Sequence, residues 1–397
     1  MKKALIVTRV SGFVPQFELS HVRILQDMGY EVHYAANYNT IVYGSDNSRL
    51  DGTGIIRHQI DFKRSPFSPG VVRAAKQLNA LLEKEQFDLI HCHMPMSGVI
   101  TRICAHKLMK QGVCKKAPVL YTAHGFHFCK STPKKNWIYY PVERFLARYT
   151  DRLITINEED YMRAKKFPVR GSVEKIAGAG IDLRPYNLVE SDKSMAVYKT
   201  EMRLKRADRR KELGVKDNEF LLISVGELTK RKNHILVLNT LKRLRDKDVK
   251  DIKYLICGSG PLEGDLRAEV IREELEKQVI FAGYCTDIQS QLAAADCFVF
   301  PSLHEGLPMA MMEAMASGLP VIGLPIRGNE DLIEHKKGGY LVGPLVFEPA
   351  ILQMKKHRSH RVQMGEWNRR RVVEFDSRIV DEQMREIYES TNINGSL

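Results

Sequence analysis

The stretch CFVFPSLHEGLPMAMMEAMASGLPVIG, residues 297–323, reads as strand, loop, helix, strand. Cys297–Phe300 and Val321–Gly323 are short apolar runs bounded by Pro301, Gly318 and Pro320, which suits strands buried on both faces. Between them a helix is expected from about 307 to 316, closed by Gly318, after a loop that carries Glu305 and Gly306. Two such strands joined by a helix form a parallel unit, because parallel neighbours need a crossover. A helix N-terminus behind a strand and a glycine-containing loop also suits an anion. The first backbone N–H groups lack partners, the dipole is favourable, and Gly306 lets a ligand approach.

The same rhythm extends outward in both directions. Strands are expected at 4–8, 31–35, 89–91, 119–122 and 153–156, with helices at 17–28 and 71–85. It restarts with strands at 220–225, 253–257 and 279–281 and helices from Asn233 and from Leu262. The fold class is therefore α/β: two Rossmann-like, doubly wound domains, with ligands expected between them at the carboxyl ends of the strands. The divisions read as a first domain at 1–183, a linker with a local helical insertion at 184–217 that carries the charge run KRADRR (205–210), a second domain at 218–376, and a helix at 377–397 returning to the first domain.

Composition narrows the partners. The 397 residues are 44% hydrophobic and 27% charged, which excludes a disordered or low-complexity chain. Lys and Arg total 61 against 48 Asp and Glu, a net +13. Residues 1–190 hold 28 of those cations and 17 of the anions, so the excess lies in the first half and suggests a polyanionic partner. No nucleic-acid motif is present, so none is expected as a partner. The seven cysteines are scattered singly, as expected of reduced thiols in the cytoplasm. The opening MKKALIVTRVSGF reads as a first strand, and no run approaches the roughly 18 apolar residues of a membrane span. Membrane contact would then be peripheral. The segment KSTPKKNWIYYPVERFLARYTDR (130–152) has the mixed basic and aromatic character of an anionic membrane interface, and equally that of a core-packed helix with a solvated basic face.

Some side chains stand out for their chemistry. Glu313 lies among Met309, Met311, Met312 and Met315, so it is either a ligand carboxylate or a solvent-facing residue. His124, in TAHGFH at a strand end, is either a ligand contact or a hydrogen-bonded structural residue; His127 is a weaker candidate. Zinc ligands are offered by His91-Cys92-His93 and by His124, His127 and Cys129. Consecutive strand residues point to opposite faces, so no zinc site is expected.

Several segments together resemble the retaining glycosyltransferases of family 4, in the branch that builds bacterial capsules and exopolysaccharides. They are SVGELTKRKNH (224–234), YLICGSGP (254–261), VIFAGYCTDI (279–288), LPIRGNEDLIEHKKGGYLV (324–342), YTAHGFHF (121–128) and DRLITINEEDY (151–161), together with Glu305 and Glu313 seven residues apart. The resemblance implies the GT-B fold and transfer of a sugar from a UDP-sugar to a lipid-linked, polyprenyl-diphosphate saccharide at the cytoplasmic face of the membrane. It implies no metal or other cofactor, and a front-face displacement in which the departing phosphate takes the acceptor proton. Glu313 would bind the ribose hydroxyls and Glu305 the sugar hydroxyls, with His124 reaching the same sugar. Gly306 and Leu307 would present N–H groups to the diphosphate, and Lys232 would supply a cation. Ser11 and Gly12 fall where the family has a glycine-rich turn. Glu227 stands where the family usually has a basic residue, and Lys230 or Arg231 would have to compensate. A UDP-sugar 2-epimerase of the same fold and a non-enzymatic polyanion-binding protein are the alternatives.

Overall fold

The run KKALIVTRV forms β1 (Lys2–Val10), in which Ala4 to Thr8 are buried on both faces. In the computed structural model, which describes residues 1–43, 46–189 and 194–394, β1 lies inside a seven-stranded sheet. Its partners are β2 (Tyr30–Asn37), β3 (Ile56–Gln59), β4 (Leu89–His93), β5 (Val119–Ala123), β6 (Arg152–Thr155) and β7 (Ser172–Lys175). The order is β3-β2-β1-β4-β5-β6-β7, every pairing is parallel, and Ala4 stands level with Val32 on one side and Leu89 on the other. One face is covered by the helices Gly70–Glu85 and Pro95–Lys110, whose Leu78, Leu82, Ile100 and Leu108 join Leu5, Val7, Ile90 and Tyr121 in the core.

The second sheet contains β8 (Phe220–Val225), β9 (Ile252–Cys257), β10 (Val279–Gly283), β11 (Cys297–Phe300), β12 (Val321–Gly323) and β13 (Gly339–Leu341). It runs β10-β9-β8-β11-β12-β13, again entirely parallel. The chain is thus α/β with two Rossmann-like sheets, as the sequence predicts. One compact unit comprises 1–129, 133–179 and the chain from Arg378, and the other comprises 130–132 and 180–377.

Two expectations need correction. The helix expected at 17–28 starts as a π-helical turn, Val14–Glu18, and continues as the α-helix Leu19–Asp27. Residues 184–217, expected as a linker with a helical insertion, do contain a helix but belong to the second unit instead of standing between the two. The helix Met195–Glu212 belongs to the second unit and its arginines are anchored there. Arg206 donates to the Ala295 carbonyl at 2.6 Å and pairs with Asp296 at 2.8 Å, while buried Arg210 reaches Asp296 and the carbonyls of Lys216 and Glu219. A charge run reads as solvated because isolated charges avoid burial, but these cations reach a half-buried carboxylate and backbone carbonyls. Residues 190–193 of the expected linker lie outside the described residues. The helix Ser377–Asn394 closes the chain, and its Tyr388 hydroxyl lies 2.9 Å from His91 Nδ1.

Candidate functional site

Site residues gather in two groups, one in each unit. In the second unit the chain leaves β8 at Gly226 and crosses the end of β9 at Gly258, where a Cβ would stand 2.0 Å from the Gly226 carbonyl oxygen. Only glycine at 258, with φ +147°, permits that approach. The loop after β8 is then tied to the loop after β11: Leu303 N–H donates to the Arg231 carbonyl at 2.9 Å and Asn233 Nδ2 to the Pro301 carbonyl at 3.1 Å.

These ties set Lys232 Nζ 2.8 Å from Glu305 Oε1 and 4.5 Å from the Phe300 ring centroid. Arg231 Nη1 also donates to Glu305, and to the His304 carbonyl at 3.0 Å. From the far side of the loop, buried Arg327 donates through Nε to the Glu305 carbonyl at 3.0 Å, with Nη2 3.1 Å from His304 Nε2. Burial alone would raise the Glu305 carboxyl, but Lys232 and Arg231 hold it below the usual carboxylate range. Burial lowers the Lys232 ammonium despite the opposing pull of Glu305. Two cations therefore meet one carboxylate, leaving excess positive charge for an anion. Glu227 and Lys230 are exposed, so Arg231 is the nearby cation that joins Lys232. Arg327, to which the sequence reading gave no role, holds the loop through the Glu305 carbonyl and His304.

Glu313 projects from the helix Met309–Ala316 beside buried Met311, Met312, Ala314 and Met315. Its carboxylate makes no hydrogen bond or ion pair among the described residues, and burial pushes it up to about 7. Glu313 is thus half-buried beside these methionines. The helix begins at Met309 and not at 307, because Pro308 occupies the N-cap with an extended backbone, ψ 113°. Gly306 and Leu307 thus lie in the loop ahead of the helix, and the N-terminus has no side-chain cap.

In the first unit His124 follows β5 and meets a group that sequence reasoning missed. Glu18, at the end of the π-helical turn, is 2% exposed. Its Oε2 meets His21 Nδ1, and its Oε1 lies 3.7 Å from His93 Nδ1 and 3.6 Å from His124 Nε2. His93 Nδ1 and His124 Nε2 are 3.1 Å apart. Burial would raise the Glu18 carboxyl, yet the three imidazoles hold it well below its ordinary range. Burial lowers His21, but contact with Glu18 outweighs that and raises it. His93 is pushed down to about 3, and His124 is lowered, each chiefly by burial. Positions 18, 21, 93 and 124 share no local pattern, so only the sheet order reveals them.

Ser11 is buried, its carbonyl accepting from the Tyr34 hydroxyl at 3.1 Å, and a Cβ on Gly12 would lie 1.7 Å from the Val42 carbonyl oxygen. Chain packing already accounts for Gly12. Cys92 points into the apolar core, opposite His91 and His93, as strand alternation predicts. Among the described residues, Glu18, His93 and His124 are the only three potential metal ligands that converge, their ligand atoms all within 4.8 Å. The hydrogen bond between the two imidazoles accounts for their approach.

Solved structures share the fold. HepE from Anabaena, in complex with UDP and glucose, superposes with a TM-score of 0.73 at 19% identity, covering 98% of this chain and all of that one. Sucrose-phosphate synthase from Thermosynechococcus elongatus gives 0.72 at 18% identity, covering 98% and 99%. The fold is GT-B. In sequence, residues 4–157 match the glycosyl transferase 4-like family and 205–371 match glycosyl transferases group 1. A putative glycosyltransferase, EpsD of Bacillus subtilis, is 32% identical over 98% of this chain and 96% of its own. The UDP-Gal:α-D-GlcNAc-diphosphoundecaprenol α-1,3-galactosyltransferase of Escherichia coli is 32% identical over 67% of this chain and 65% of its own. This chain belongs to glycosyltransferase family 4, and it is a transferase.

Proposed function

We propose that the protein is a retaining glycosyltransferase of exopolysaccharide or capsule synthesis, moving a sugar from a UDP-sugar to a lipid-linked, polyprenyl-diphosphate saccharide at the cytoplasmic membrane face. The observation that carries the reading is Glu313: a half-buried carboxylate without a hydrogen-bond or ion-pair partner among the described residues suits the two hydroxyls of a ribose, which would satisfy both of its oxygens. Lys232, Arg231 and Arg327 supply positive charge beside the uncapped helix at Met309, where a diphosphate would sit. Relatives add the chemical class. One bears a UDP-galactose donor and a diphosphoundecaprenol acceptor in its name, and others are named for colanic acid and amylovoran biosynthesis.

In the reaction, the bond between the anomeric carbon and the β-phosphate oxygen breaks and the acceptor oxygen bonds to that carbon. The acceptor proton passes to the departing diphosphate. Lys232 and the helix N–H groups stabilise the charge that grows there, so no metal or other cofactor takes part. His124 and Glu305 meet the donor sugar, and Ser11 and Gly12 border the path of the substrates. The acceptor side carries the membrane contact. Trp137, Ile138, Tyr139, Val142 and Phe145 are exposed beside exposed Lys134, Lys135, Arg144 and Arg148, as suits an anionic bilayer. Among the described residues, no helix is long and apolar enough to cross a membrane.

The test is release of UDP, in EDTA, from UDP-glucose, UDP-galactose and their N-acetyl counterparts, with and without polyprenyl-diphosphate-linked saccharide. Acceptor-dependent release from one donor with an α-linked product supports the reading. A β-linked product, epimer formation without acceptor, or no release from any donor overturns it.

A further inference from the structure

The group around Glu18 bears on how His124 acts. His124 has its Nε2 turned inward, 3.1 Å from His93 Nδ1 and 3.6 Å from Glu18 Oε1, while its side chain is 23% exposed. Nδ1 is therefore the ring nitrogen left for a ligand. One proton is shared among three inward atoms: His93 Nδ1, His124 Nε2 and Glu18 Oε1.

Two arrangements of that proton are possible. If it sits on His124 Nε2, neutral His93 must carry its own proton on Nε2, which is buried without a hydrogen-bond partner among the described residues. If it sits on His93 Nδ1, it is donated to His124 Nε2 with the Glu18 carboxylate beside it, and His93 Nε2 is a bare acceptor. A buried N–H without an acceptor is the rarer and costlier defect. The second arrangement wins, and it places the His124 proton on Nδ1.

The surroundings hold this state. Glu18 Oε2 is taken by His21, whose Nε2 lies 3.9 Å from Asp381 Oδ1. His91 is engaged at both nitrogens, by the Tyr388 hydroxyl at 2.9 Å and Thr122 Oγ1 at 2.8 Å, and its ring centroid is 4.1 Å from that of His93. Phe13 packs its ring edge-on to His124, with centroids 4.9 Å apart. No other charged group faces the trio among the contacts described.

We propose that Glu18 and His93 are positioning residues for His124: they fix its tautomer so that Nδ1–H faces the ligand, and His124 meets the sugar as a hydrogen-bond donor and not as a base. The inference deepens the functional reading above, since it takes the ligand to be the donor sugar. A donor aimed at a sugar hydroxyl or ring oxygen orients it without removing a proton, which agrees with a reaction whose proton leaves on phosphate.

The experiment uses the full chain with ¹⁵N-labelled histidine. Long-range proton–nitrogen correlation near pH 7.5 should show His124 in the Nδ1–H tautomer. A wild-type His124 in the Nε2–H form overturns the proposal without any substitution. His93→Leu should mix the tautomers and lower kcat by about tenfold, the value of one lost hydrogen bond, with UDP affinity held within about twofold. His93→Asn, whose amide N–H replaces Nδ1–H, should restore most of the rate. Leu and Asn variants of equal rate would overturn the proposal, as would an unmixed tautomer in the Leu variant. If the wild-type chain turns over no UDP-sugar, the functional reading fails while the tautomer measurement still decides the inference.

Discussion

Glu313 is the residue where binding and stability oppose each other. Its carboxyl is raised from 4.5 to about 7 by burial. Ribose hydroxyls donate to the ionised form, so affinity for UDP-glucose, whose diphosphate does not titrate in this range, should rise about tenfold between pH 6 and pH 8. Glu313→Gln should bind at least about tenfold more weakly at pH 8 and lose that pH dependence, as isothermal calorimetry would show. Stability runs the other way. The folded chain keeps a proton that the unfolded chain releases above 4.5, so Glu313 costs stability progressively from there to about 7. The Gln variant should therefore have the higher melting temperature at pH 8, and equal melting temperatures would contradict the burial argument. Lys232 and Glu305 make the complementary case. Lys232→Met leaves the buried carboxylate with Arg231 alone and should cost about 3 kcal/mol in urea unfolding, part of it recovered by adding Glu305→Gln. Glu305, Glu313 and Lys232 were legible in sequence because short segments carry them in a fixed order. Glu18 was not, because two of its three partners, His93 and His124, are 75 and 106 residues away.

At the scale of elements, legibility follows burial. Strands such as β1, β4, β8 and β11 are covered on both faces and show as continuous apolar runs. β3 and β7 are sheet edges with sequences IRHQ and SVEK, mostly half-buried or exposed, and β13 is only GYL, so none carries a pattern to read. The segment 134–149 shows the same rule in reverse. Its sequence left open whether the segment faces a core, and the structure divides it. Glu143 and Leu146 are buried, with Glu143 paired to buried Arg102 at 2.8 Å, while Ile138 is 70% and Phe145 50% exposed. Such side chains beside four exposed cations should bind anionic vesicles. Replacing Ile138 and Phe145 together by Glu should reduce co-sedimentation with phosphatidylglycerol vesicles at least about tenfold while leaving UDP affinity unchanged, and retained sedimentation would return the segment to an ordinary solvated face.

Across the whole molecule the candidate chemistry is divided between two compact units. Glu313, Lys232 and Arg231 lie in the second, and His124 with its buried supports lies in the first. Nucleotide affinity should therefore depend on second-unit residues, whereas turnover should need both units. His124→Ala is expected to lower kcat by about a hundredfold and leave the dissociation constant for UDP within about twofold; Glu313→Gln should do the reverse, weakening UDP more than it slows a saturated enzyme. Equal small effects from both would sink the assignment of either residue. The same division bears on metal. Excess positive charge around Glu305 already comes from protein side chains, and in the other unit His93 and His124 are hydrogen-bonded to each other with the Glu18 carboxylate 3.6–3.7 Å away. Prolonged EDTA treatment should consequently leave turnover unchanged. A loss restored by zinc and abolished in Glu18→Gln would instead make the trio a metal centre, and a loss restored by magnesium alone would show that the cations beside Glu305 do not suffice for the leaving diphosphate.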